Sequence, residues 1–184
     1  VSAFAEGGWV WAQTPRMDLE NWLTVQNWDV YRHLWAGYER CYATEYSWLW
    51  RACGDRSLPV EAQVSVQRQS GSGWTVTVSA PEGETFTADL YIRWESGFTS
   101  AGGAFLSLGR SMVGCAVPLF GDMPGVAGYF PASGEAYIPV RVENGQGTAT
   151  LWSADENFTE LTVTEARFER ALPALDLYEQ EAAQ

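Results

Sequence analysis

The stretch VEAQVSVQRQSGSGWTVTVSAPEGETFTADLYIRW, residues 60–94, decides the fold class. Its first run places Val60, Ala62, Val64 and Val66 on one side of an extended chain. The second repeats the pattern with Trp74, Val76 and Val78, and the third with Phe86, Ala88, Leu90, Ile92 and Trp94. Successive side chains of a strand point to opposite faces, so period-two alternation marks half-buried strands. SGSG (70–73) and PEGE (81–84) supply the turns between them.

The same pattern continues downstream. YIPVRV (137–142) runs into Asn144-Gly145, the strongest short hairpin signal because both residues tolerate positive φ. TATLW (148–152) returns from that turn, and LTVTEARF (161–168) is a last strand. Short alternating strands with turns every several residues predict a mainly β chain, an antiparallel β-sandwich or jelly roll, over residues 57–170. Within it, the Gly-rich stretch 101–130 carries only Arg110 and Asp122 as charges. FLSLGRSMVGCAVPLF (105–120) predicts two buried strands, and GDMPGVAGYFPASG (121–134) predicts a loop.

Upstream the period changes. Residues 17–56 predict a helical segment, one long helix or two shorter ones. Trp22, Val25, Trp28, Tyr31, Trp35, Tyr38, Tyr42 and Leu49 recur mostly at spacings of three or four, the signature of an apolar helix face. Asp18 suits the N-cap, Arg51 the last turn and Gly54 the stop. An unbroken helix would be about 54 Å long, more than one small sheet can cover. A break is therefore expected at Gly37 or Ala43-Thr44. Residues 1–16 read as an extended arm with a strand-like Trp9-Val10-Trp11, and residues 171–184 as an acidic tail.

Composition narrows the function classes. The 184 residues carry 23 Asp+Glu and 11 Lys+Arg, for a net charge of −12, and every cation is Arg. Nucleic acid is not an expected partner, since nothing supplies a net-basic footprint. Without Lys there is no P-loop lysine and no Schiff base. No apolar window is long enough for a transmembrane helix. The only His, His33, lies mid-helix with no sign of a nucleophile beside it, and one His with three scattered Cys does not make a metal site; no cofactor or metal is expected. Asp155-Glu156-Asn157 lacks calcium-loop spacing, and Asn157-Phe158-Thr159 fits a glycosylation sequon. Cys41, Cys53 and Cys115 read as free buried thiols. On one helix the first two would stand about 18 Å apart, too far to bond.

The expected function is non-enzymatic: a structural, assembly or decoration protein, a virion accessory or surface component. It would dock on neighbouring subunits, as a homo- or hetero-oligomer, through Trp9, Trp11, Trp22, Trp28, Trp35, Tyr38 and Tyr42. Such a protein belongs in a virion, outside the cell or on its surface. The alternative is an extracellular carbohydrate-binding or adhesion domain with exposed Trp as stacking platforms. A small jelly-roll glycosidase comes third, with Glu95, Asp89 and Glu135 as candidate carboxylates.

Overall fold

The computed structural model describes residues 8–13, 21–43, 47–69, 73–98, 112–117, 126–131, 134–153 and 159–174. The described chain is mainly β, with antiparallel pairing throughout and two short helices, α1 (Asn21–Gln26) and α2 (Trp28–Gly37). The strands are β1 (Trp9–Gln13), β2 (Tyr38–Ala43), β3 (Ser47–Ala52), β4 (Gln63–Arg68), β5 (Trp74–Ser79), β6 (Phe86–Phe98), β7 (Met112–Val117), β8 (Val126–Pro131), β9 (Gly134–Val142), β10 (Gln146–Ser153) and β11 (Thr159–Leu172). They form three sheets, ordered β1-β3-β2, β4-β5-β10-β7-β8 and β11-β6-β9.

The alternating runs lie where the pattern predicts. On β6, Phe86, Ala88, Leu90, Ile92 and Trp94 are all buried on one face, opposite Val142, Val140, Ile138, Ala136 and Gly134 of β9. The five-stranded sheet contributes Val76, Val78, Val113, Cys115, Val117, Ala149 and Leu151 to the same core. Burying these side chains supplies the main stabilising term, roughly 1.5–3 kcal/mol for each large apolar group. Trp74 of β5 donates its indole N–H to the Leu161 carbonyl of β11 at 2.8 Å, joining one sheet to the other.

The Asn-Gly turn forms and closes one antiparallel bridge, Glu143 with Gln146, through reciprocal backbone hydrogen bonds of 2.9 and 3.0 Å, but the pairing goes no further. Asn144 has φ 49° and Gly145 φ 78°, yet β9 and β10 belong to different sheets. The turn is a corner between layers, and it locks onto a second corner at 80–84. Ala80 N–H donates to the Gly145 carbonyl, Gly145 N–H to the Glu84 carbonyl, and Gly83 N–H to Asn144 Oδ1. A Cβ on Gly145 would stand 2.6 Å from the Pro81 carbonyl oxygen, so both space and φ require glycine there.

Four expectations need correction. The helical segment 17–56 stops at Gly37. Tyr38 is already extended (φ −134°, ψ 146°), and residues 38–43 and 47–52 are strands. Gly37 is the weakest helix former in the run. After it, Trp48-Leu49-Trp50 alternates with period two, and aromatic residues favour a sheet surface. The Tyr38 and Tyr42 spacing fits a helix by number alone. Second, GDMPGVAGYFPASG is not all loop, because Val126–Pro131 pairs with β7 as an edge strand. Pro131 sits at its end, where a missing N–H is tolerated. Third, the C-terminal tail does not begin at Ala171. Ala171 and Leu172 are buried at the end of β11, and Leu58 N–H donates to the Ala171 carbonyl. Fourth, Cys41 and Cys53 are exposed rather than buried. Both are free, as is Cys115. Asp18, Asp155-Glu156-Asn157 and Arg110 lie outside the described residues.

Candidate functional site

The aromatic N-terminal region divides into a covered side and a bare side of one three-stranded sheet. Strand β3 is central. Its Trp48 and Trp50 are buried and face α2, as does Tyr38 of β2. They close around Trp35, whose ring centroid lies 5.3 Å from Trp28, 6.3 Å from Trp48 and 5.4 Å from Trp50. Tilted and edge-on contacts of this kind are favourable beyond the area they bury.

A buried ionic clamp fixes this cluster to the β11-β6-β9 sheet. Trp28 and Arg32, one turn apart on α2, both reach Asp89 of β6. Trp28 Nε1 donates to Asp89 Oδ1 at 2.9 Å. Arg32 donates through Nε and Nη2, the latter 2.6 Å from Oδ2. Arg170 of β11 adds a third group, its Nε 3.1 Å from Oδ2. The Arg32 guanidinium also stacks on Tyr137, 3.5 Å from the ring centroid. Burial works against the Arg32 charge, but the hydrogen bond and charge of Asp89 outweigh it and hold its pKa above the ordinary value. His33 is displaced the other way. Burial first, then Arg32 and Arg170, keep its pKa below 6.5.

The clamp also bears on the carboxylates expected of a glycosidase. Asp89 is fully buried and engaged by two guanidiniums and an indole. Glu95 is exposed six residues further along β6, about 20 Å away at the strand rise. That exceeds the 5–9.5 Å span of a paired glycosidase site. Glu135 accepts a hydrogen bond from Tyr91 Oη at 2.6 Å, which raises the Tyr91 pKa.

The opposite face of the small sheet exposes three aromatic rings. Trp9 is 57% exposed, Trp11 67% and Tyr42 57%. Register sets them in two rows. Trp9 pairs with Arg51, and Arg51 with Glu39. Trp11 pairs with Leu49, and Leu49 with Tyr42. A bulge between Arg40 and Tyr42 keeps Tyr42 level with Leu49. Arg51 Nε donates to Glu39 Oε1 at 2.9 Å, and its Nη2 also reaches that oxygen. The Glu39 hydrogen bond is the chief reason the Arg51 pKa is raised. The result is a platform about 10 Å wide, with an aromatic row beside a polar one.

The expected partner-binding residues therefore separate. Trp9, Trp11 and Tyr42 come together on the bare face. Trp28, Trp35 and Tyr38 are covered by the chain itself and are not available to a partner. Physically, Trp35 of α2 packs on Trp28, Trp48 and Trp50, which removes all four indoles from water. Trp22 lies on α1, and its side chain is outside the described residues. Leu49, Arg51 and Glu39 were missed as site residues. Reading Trp48-Leu49-Trp50 as a strand like Trp9-Val10-Trp11 finds Leu49 and Arg51, because alternation puts them opposite the buried indoles, whereas Glu39 joins them only through the β2–β3 register. Among the described residues no group of His, Cys, Asp and Glu is placed to hold a metal, and no helix is long and apolar enough to cross a membrane. No protein family, curated protein or solved structure matches the chain.

Proposed function

We propose that this chain is a non-enzymatic attachment protein, a virion accessory or surface component. It engages another molecule through the outer face of its N-terminal sheet rather than through an aromatic helix. The two larger sheets are read as the layers of a jelly-roll-like β-sandwich, which carries that face on one side. The observation behind the reading is the coincidence of three exposed aromatic rings on one side of a sheet whose other side buries Tyr38, Trp48 and Trp50. Folding has not used these rings, and large exposed aromatics on a rigid support are what binding surfaces employ.

The test compares the chain with a Trp9→Ala/Trp11→Ala/Tyr42→Ala variant, each fused to a fluorescent protein and offered to intact cells, cell-wall fractions and the unlabelled chain itself. Attachment that disappears in the variant, with circular dichroism unchanged, supports the reading. Attachment that survives all three substitutions overturns it.

A further inference from the structure

The geometry points to a neutral glycan as the occupant of the bare face, an inference that rests on the attachment reading above and names its ligand class. Three observations carry it. The first is the pairing of rings with a polar row. Trp9 and Trp11 stand two residues apart on β1, about 7 Å, and Tyr42 lies two strands beyond Trp11, about 10 Å. These separations lie within the span of a short oligosaccharide laid on the sheet. A pyranose presents an axial C–H face that packs on an indole and a rim of hydroxyls that needs donors and acceptors alongside. Arg51 and Glu39 supply both, level with Trp9 and half-exposed. Both of their mutual contacts end on Glu39 Oε1. A guanidinium has five donors, so donors remain for a ligand.

The second observation is area. The platform consists of one side of three strands of five or six residues. Its outward aromatic and aliphatic groups are Trp9, Trp11, Leu49 and Tyr42, with the Arg51–Glu39 row among them. A stable protein interface needs roughly 800 Å² and 20–30 residues from each partner. This face offers less than half that number of side chains, which suits a narrow chain of rings better than a second protein.

The third is charge. The protein carries −12 overall, but on this face the cation and the anion cancel. A polyanion finds no basic patch, while an uncharged polyol meets no repulsion.

The experiment uses the whole chain in affinity electrophoresis and tryptophan fluorescence titration. The probes are a soluble β-glucan, an α-mannan, a galactan and chitin oligosaccharides, with alginate as the anionic control. Size-exclusion chromatography with light scattering runs in parallel. The expected result is binding to at least one neutral glycan and none to alginate. Trp9→Ala or Trp11→Ala should weaken it about tenfold or more, and Glu39→Gln or Arg51→Met several-fold. Each variant should keep the urea midpoint of the parent. Binding to alginate alone overturns the neutral class. Absence of glycan binding, together with self-association that Trp11→Ala abolishes, overturns the glycan and keeps the attachment reading. Absence of both, with every variant indistinguishable from the parent, overturns the two together.

Discussion

The two faces of the N-terminal sheet carry nearly the same residue types and meet opposite fates. On one face Tyr38 is buried, and Trp48 and Trp50 pack on Trp35, which packs in turn on Trp28. On the other Trp9, Trp11 and Tyr42 remain more than half exposed. Hydrophobicity does not separate these sets; what a side chain faces does. The inner face has a helix above it, and that helix is tied to Asp89 by Trp28 and Arg32. Stability and binding can thus be assigned to opposite sides of one sheet, and substitutions should tell them apart.

The largest effects belong to the covered side. Trp50→Ala removes a fully buried indole, and about 3–5 kcal/mol of stability should go with it in urea titrations. Asp89→Asn should cost a similar amount, about 3–5 kcal/mol, because Arg32 and Arg170 are left without their counter-charge. If Asp89→Asn unfolds as the parent does, the clamp does not hold α2 in place.

A smaller effect comes from pH. His33 has its folded pKa below 6.5, so the unfolded chain binds the proton more readily. Its contribution is complete above 6.5 and is lost as pH falls below that value. The parent should therefore lose more stability than His33→Gln between pH 7 and pH 5.5 in matched melts. Parallel curves would place His33 in a more open setting.

The smallest effect is expected on the bare side. Trp11→Ala should shift stability by no more than about 0.5 kcal/mol. A loss of several kcal/mol there would show that the outer face is structural, which erases the comparison. Thiol chemistry sharpens the same contrast between exposed and buried groups. Cys41 and Cys53 should react with an aromatic disulfide reagent in the native protein. Cys115, buried with its thiol pushed up to about 12, should react only on unfolding.

Much of the β architecture was legible because alternation is local. The side chains of 60–94 state their own period, and β4 and β5 follow it, whereas β6 is buried on both faces from Phe86 to Ile92 because Thr87, Asp89 and Tyr91 are covered too. The segment after Gly37 misled because Trp35, Tyr38 and Tyr42 satisfy a helical spacing while Trp48, Leu49 and Trp50 satisfy an extended one. Only pairing with β1 resolves that ambiguity, and β1 lies some forty residues away in sequence. Asp89 was visible as an acid within an apolar strand, but its partners Arg32 and Arg170 are 57 and 81 residues distant. No local pattern links them.

The sequence alone determined that the chain is mainly β, where most strands run, which face of β6 enters the core, and that Lys-based chemistry is absent. Those properties depend on side-chain period and composition, which are written residue by residue. The tertiary structure decided that Asn144-Gly145 turns a corner between sheets, that Asp89 is an anchor, and which aromatic residues are left for a partner. Those outcomes depend on what packs opposite each group, and distant segments settle that through competition for the same buried surface.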